Sequence, residues 1–120
     1  MATRKRSSIE QLLDNHNEPY ELVIYWEPGD DQPMRLYLIQ VNDVRLAVDL
    51  LDVSAPSRFA LQTPLDGKFT VKFALAPMVP IRGAIIGVVN NRTAIKQTVD
   101  KTTALQRNQL WRNEVEIDAP

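Results

Sequence analysis

The 120-residue chain contains no cysteine, which excludes disulfide bonds, thiolate metal ligands and thiol nucleophiles. It contains one histidine, His16, and a single histidine with no acidic cluster nearby is a weak candidate for metal binding or acid–base chemistry. Its four glycines are scattered, so there is no glycine-rich loop to hold a phosphate. From these absences we predict no metal centre and no cofactor.

Long apolar runs and an excess of one charge are also lacking. Charges or prolines interrupt every apolar stretch well short of the roughly 20 residues that cross a bilayer. The basic residues Arg4, Lys5 and Arg6 lead into a polar segment, unlike a secretory signal peptide. The net charge is −1, so no overall field draws the chain towards nucleic acid or an anionic membrane. We expect a protein of the cytoplasm or of a particle, without membrane insertion.

Motifs for catalysis or cation binding are absent as well. No serine stands in a G-x-S-x-G or S-x-x-K pattern, so nucleophilic catalysis has no support. Glu27, Asp30 and Asp31 share one loop, but they lack the ligand spacing of an EF-hand and favour a solvated turn. The chain is therefore predicted not to be an enzyme, with no catalytic residue.

From Tyr20 onward, apolar and polar residues alternate with the period of a β-strand. In Val44–Leu50 the alternation predicts Val48 on the core face and Ala47 on the opposite face. About six short strands, separated by turns at intervals of roughly eight to twelve residues, predict a mainly β fold. We expect a small antiparallel β-barrel or β-sandwich.

Two segments predict helices at the ends of this fold. Ser7 and Glu10 have the spacing of a capping box, which predicts a short N-terminal helix that ends before Pro19. Near the other end, Asn91 is a helix cap candidate, and we expect a C-terminal helix over part of residues 91–111. The many threonines in that segment favour a strand instead. Residues 114–117 alternate again and predict a final edge strand.

We expect the chain to divide into a mobile basic arm, residues 1–6, and a single β-rich domain, residues 7–120. Arg4, Lys5 and Arg6 are the candidate contacts to nucleic acid or phosphate, although three such contacts give only weak, salt-dependent binding. The alternative is a terminus that only improves solubility.

Deleting residues 1–6 is expected to leave the melting temperature unchanged, because an arm without apolar periodicity buries little surface. Thermal unfolding of the full-length and truncated chains checks this. A clear drop on truncation would show that the arm docks on the domain.

One segment resembles a known family. Asp52-Val53-Ser54-Ala55-Pro56-Ser57 is similar to the D-x-S-x-x-G turn of PilZ domains, and residues 49–89 resemble the strands of that β-barrel around and after this turn. The resemblance implies that Asp52 and Ser54 are ligand-binding residues. Ser57 replaces the family's glycine, and the R-x-x-x-R motif that grips the cyclic dinucleotide is absent. The chain thus resembles a degenerate PilZ domain, which implies action through protein contacts.

Taken together, the sequence predicts a non-catalytic interaction or assembly module. Such a module would be a structural or adaptor component of a larger complex, for example of a phage particle or as a degenerate PilZ-like adaptor. Its partners would be other copies of itself, as a homo-oligomer, or other proteins of the assembly. The alternative is a cyclic-dinucleotide sensor or a nucleic-acid-binding β domain.

Overall fold

The computed structural model describes residues 20–27, 31–61, 67–90 and 95–118. These residues form eight antiparallel strands and the turns between them. The strands are β1 (Tyr20–Glu27), β2 (Pro33–Val41), β3 (Val44–Ser54), β4 (Ser57–Ala60), β5 (Lys68–Pro77), β6 (Ile81–Asn90), β7 (Ile95–Leu105) and β8 (Trp111–Asp118). The prediction of a mainly β fold is confirmed.

The strands form two four-stranded sheets that pack face to face. Sheet 1 has the order β4-β1-β6-β7 and sheet 2 the order β3-β2-β5-β8. The described residues form no closed barrel. Of the two expected architectures, the barrel and the sandwich, the structure therefore has the sandwich. In such a sandwich, each strand turns alternate side chains into the core and leaves the others on an outer face.

The core lies between the two sheets and follows the predicted alternation in β5, whereas β1 has three consecutive buried residues, Leu22, Val23 and Ile24. Its largest fully buried side chains are Trp26, Phe69, Phe73, Leu22, Ile24, Met34, Leu36, Ile39, Leu75, Ile86, Val23 and Val71. Phe73 meets the ring of Trp111 edge to face, with ring centroids 4.9 Å apart. This aromatic pair anchors β8 to the middle of sheet 2.

The predicted C-terminal helix is wrong, because residues 95–105 form strand β7. β7 pairs with nearly the whole of β6, from Ile81↔Leu105 to Val89↔Ile95. A long partner strand directly before it in the chain, together with its threonines, outweighs one helix-capping signal. The predicted N-terminal helix lies outside the described residues. Those residues contain no helix able to cross a membrane.

The prediction of which β3 side chains point into the core is also wrong. Ala47 is only 7% exposed, whereas Val48 is 48% exposed. The cause is a β-bulge: the register passes from Gln40↔Arg45 to Ile39↔Ala47, which leaves Leu46 as an extra residue. Because strand side chains alternate with a period of two, this extra residue moves Ala47 to the core face and Val48 to the outer face.

Asn42 stabilises the hairpin turn between β2 and β3. It adopts a left-handed φ of 52°, which asparagine tolerates better than most residues. Its side-chain Oδ1 accepts a hydrogen bond from the Thr70 backbone N–H at 3.0 Å, and its own N–H donates to the Thr70 carbonyl at 2.8 Å. The turn is therefore fastened to β5, the next strand in the sheet.

Gly83, on β6, lies where two neighbouring strands approach closely. A Cβ atom there would lie 2.9 Å from Glu27 Oε1 and 3.3 Å from the Thr102 carbonyl oxygen. Glycine therefore allows β6 to fit tightly between β1 and β7.

Candidate functional site: the outer face of sheet 2

Exposed apolar side chains are concentrated on one edge strand. Among the described residues, six large hydrophobic side chains are exposed, and four of them belong to β3: Val44, Val48, Leu50 and Leu51. The fifth, Tyr37, lies on the neighbouring strand β2, and the sixth, Leu110, lies in the turn before β8. Single exposed apolar residues are ordinary, but a cluster marks a candidate contact surface.

Of these residues, Val48 lies on the outer face of sheet 2, whereas Val44 and Leu50 pair with buried residues of β2. Val48 on β3 pairs with Leu38 on β2, Leu38 pairs with Ala74 on β5, and Ala74 pairs with Arg112 on β8. We call these four residues the apolar row. It crosses all four strands and ends in one cationic side chain.

A second row runs beside the first. Arg45 pairs with Gln40, Gln40 with Lys72, and Lys72 with Glu114. We call these four residues the polar row. On β2 and β5 the residues between the two rows, Ile39 and Phe73, are buried, so both rows lie on the outer face.

The two rows border a shallow, open concavity of about 420 Å³. Its lining residues are Leu38, Lys72, Phe73, Ala74, Arg112, Asn113 and Glu114. Enclosed small-molecule sites surround most of their ligand, whereas this concavity opens along the face of a sheet. Its shape suits side chains of another macromolecule better than a small ligand.

Three ion pairs connect described residues, and all are exposed. They are Arg35–Asp49 at 2.8 Å, Arg58–Glu21 at 2.7 Å and Lys68–Asp118 at 3.0 Å. Hydrogen bonds to Asp49, Glu21 and Asp118 raise the pKa values of Arg35, Arg58 and Lys68 respectively. Exposed pairs of this kind add little to stability.

One of these pairs borders the cluster on β3. The Arg35 guanidinium donates to Asp49 Oδ1 and also lies over the ring of Tyr37, 4.8 Å from its centroid. Asp49 has a left-handed φ of 55°, and Tyr37 is an extra residue in the register of β2 with β5. Two backbone irregularities thus place a charged and an aromatic group together beside the apolar row.

The charges of the two rows are not used by these ion pairs. Within the described part of the chain, none of the three pairs includes Arg45, Lys72, Arg112 or Glu114. All four side chains are exposed.

Among the described residues, the candidate binding residues predicted from the sequence are not part of the two rows. Asp52 and Ser54 lie at the exposed end of β3, with Asp52 at a left-handed φ of 56°. The Ser54 carbonyl accepts a hydrogen bond from the Ser57 hydroxyl at 2.8 Å, which stabilises the turn into β4. Arg4, Lys5 and Arg6 lie outside the described residues.

The acidic loop with Glu27, Asp30 and Asp31 is only partly described, because Asp30 lies outside the described residues. In residues 20–27, 31–61, 67–90 and 95–118, no three histidine or acidic side chains lie close enough together to hold a metal ion. His16 also lies outside these ranges.

Sequence reasoning missed the two rows because they depend on register rather than on any local motif. One signal was present: Leu50 and Leu51 are adjacent apolar residues in a strand that otherwise alternates. Adjacent strand residues face opposite ways, so both can be buried only if the strand is covered on both faces. β3 is an edge strand, and both residues are exposed.

Comparison with known proteins gives no relative. No family model matches the chain, and no curated protein or solved structure is significantly similar to it. The fold and the site define a class only, an antiparallel β-sandwich with an open outer face that has an apolar centre. The PilZ resemblance stays a prediction.

Proposed function

We propose that the chain is a non-catalytic interaction or assembly module that binds its partner through the outer face of sheet 2 and the edge strand β3. The observation that supports this most strongly is the placing of four of the six exposed large hydrophobic side chains of the described residues on β3. Such a module would be a structural or adaptor component of a larger complex, as in a phage particle or a PilZ-like adaptor.

The surface has the layout of a protein interface. Interfaces commonly have an apolar centre and a polar, charged rim. Here Leu38, Val48 and Ala74 form the centre, and the polar row with Arg112 forms part of the rim. Burial of the apolar centre supplies the favourable free energy, roughly 25 cal/mol for each Å² removed from water.

The arrangement of charge fits association rather than nucleic-acid binding. The polar row contains two cations and one anion, and β8 adds Glu116 and Asp118 on the same face. A phosphate backbone is best matched by a surface of predominantly positive charge. A face of mixed charge instead selects a partner with a matching pattern.

Light scattering on a sizing column tests the proposal with a matched pair of variants. The wild-type chain is expected to elute as a discrete species larger than its monomer mass of 13.6 kDa, at low and at high salt. The double variant Val48→Ser/Leu51→Ser is expected to shift towards monomer, because it removes apolar surface from the contact face. Leu110→Ser removes a similarly exposed leucine from the turn before β8 and is expected to change nothing.

A wild-type chain that is monomeric at both salts, over a wide range of protein concentration, would contradict self-association. Equal loss of association in Leu110→Ser and in the double variant would contradict the assignment of the contact surface to β3 and sheet 2.

A further inference from the structure

We infer that the partner on the outer face of sheet 2 is a second copy of this chain, packed face to face about a two-fold axis that runs between β2 and β5, parallel to the strands. The inference rests on the proposed function and goes further, because it specifies the partner, the symmetry and the contacting residues.

The symmetry follows from the strand order. A two-fold axis parallel to the strands, lying between two facing sheets, reverses the order β3-β2-β5-β8. It leaves the position of each row along the strand direction unchanged, so each row faces the same row of the other copy. β3 of one copy then faces β8 of the other, and β2 faces β5. An interface of this kind is isologous, so each contact occurs twice.

The polar row is self-complementary under this operation. Its order across the sheet is Arg45, Gln40, Lys72 and Glu114. Reversal places Arg45 of each copy opposite Glu114 of the other, and Gln40 opposite Lys72. A cation therefore meets an anion at both ends of the row, and a neutral amide meets the remaining cation.

The apolar row is compatible with the same operation. Leu38 of one copy meets Ala74 of the other, a large side chain against a small one, which suits close packing. Val48 meets Arg112, whose aliphatic stem covers apolar surface while its guanidinium reaches water. No like charges face each other in either row.

A second copy explains why the charged ends of the polar row have no ionic partner among the described residues. Arg45 and Glu114 are both exposed, and neither belongs to an ion pair within that part of the chain. They lie on the two edge strands of sheet 2, three strands apart, so they cannot pair within one chain. A second copy that reverses the strand order brings these residues together.

Charge reversal at these two positions tests the inference. Arg45→Glu places a glutamate against Glu114 of the other copy, and Glu114→Arg places an arginine against Arg45 of the other copy. Each variant alone is expected to raise the dimer Kd about tenfold or more, since repulsion then occurs at both symmetric contacts. An equimolar mixture of the two variants is expected to form a heterodimer close to wild type in affinity, because both contacts are then between opposite charges.

Within that heterodimer the two symmetric contacts differ. At one of them, the new glutamate of the first variant faces the new arginine of the second, which restores attraction with the charges exchanged. At the other, the unchanged Glu114 of the first variant faces the unchanged Arg45 of the second, as in wild type. Neither contact sets like charges against each other, and this is the reason for the expected recovery.

Sedimentation equilibrium of each variant, of the mixture and of wild type measures these constants. Melting curves at a protein concentration well below the wild-type dimer Kd serve as the folding control, because association itself raises the melting temperature. Under these conditions both exposed substitutions are expected to change the stability of the monomer by less than about 1 kcal/mol. Arg45→Ala supplies a milder variant if a charge reversal fails to fold, with an expected weakening smaller than that of Arg45→Glu.

Each outcome decides between the inference and the proposed function. Loss of dimer in each variant with recovery in the mixture supports the inference. A wild-type dimer that neither substitution weakens has its interface elsewhere, which overturns the inference and leaves the assembly proposal standing. Weakening without recovery in the mixture overturns the Arg45–Glu114 contact. A wild-type chain that stays monomeric overturns the inference and limits the proposed function to assembly with other proteins.

Discussion

The substitution Ala47→Asp is expected to leave most molecules unfolded. Val48→Asp, one residue further along β3, is expected to leave the protein folded. Ala47 is buried against the core, and an aspartate there would place an unpaired carboxylate among apolar side chains. An uncompensated buried charge costs about 3–5 kcal/mol, a large part of the roughly 5–15 kcal/mol that stabilises a typical domain. Val48 is about half exposed, so its aspartate stays in water.

Far-UV circular dichroism and urea unfolding of the two variants measure this contrast. For Val48→Asp the free energy of unfolding should stay within about 0.5 kcal/mol of wild type, as for most surface substitutions. The reverse result, a folded Ala47→Asp and an unfolded Val48→Asp, would show that β3 alternates without the bulge at Leu46.

The bulge explains why sequence reasoning placed Val48 in the core. Period-two patterns predict facing correctly only while a strand stays regular. Nothing in Val44–Leu50 signals an extra residue, since Leu46 and Ala47 are ordinary strand residues. The bulge is a property of the pairing with β2, which sequence reasoning does not see.

The strands with unbroken alternation were predicted well. Lys68 to Leu75 reads as a strand with its phenylalanines inward, and β5 has Phe69 and Phe73 in the core. Asn42-Asp43 predicts a hairpin, and β2 and β3 are joined there. In these cases the local signal and the tertiary pairing agree.

β7 shows where local signals disagree. Asn91 favours a helix start, while the following threonines and β-branched residues favour a strand. A helix in place of β7 would leave the edge of β6 unpaired, and pairing with β7 satisfies those backbone groups instead. The decisive information lay in the neighbouring strand rather than in the segment itself.

The contact surface could not be predicted from the sequence for a related reason. Arg45 and Glu114 are far apart in the chain, and only the strand order places them in one row. The prediction of an interaction module came from the lack of a catalytic motif. The residues proposed to carry the interaction come from the register.

Replacing Phe73 by alanine is the core substitution for which we expect a large loss of stability. Phe73 is 1% exposed, lies on β5 between β2 and β8, and meets the ring of Trp111 edge to face. Removing a buried phenylalanine side chain typically costs about 3–5 kcal/mol, through lost burial and the cavity that remains. Loss of the aromatic pair is part of that cost, at about 0.5–1.5 kcal/mol.

For a domain of this size, we expect the melting temperature of Phe73→Ala to fall by roughly 10–20 °C. Tyr37→Ala is the matched control, because it also removes an aromatic ring from sheet 2, but from an exposed position. Its cost should stay below about 1 kcal/mol, since little beyond the exposed contact with Arg35 is lost. Phe73→Leu should fall between the two, because leucine fills part of the cavity. If Phe73→Ala melted within a few degrees of wild type while Tyr37→Ala fell sharply, β5 would have the opposite face towards the core, and both rows of the contact surface would be misplaced with it.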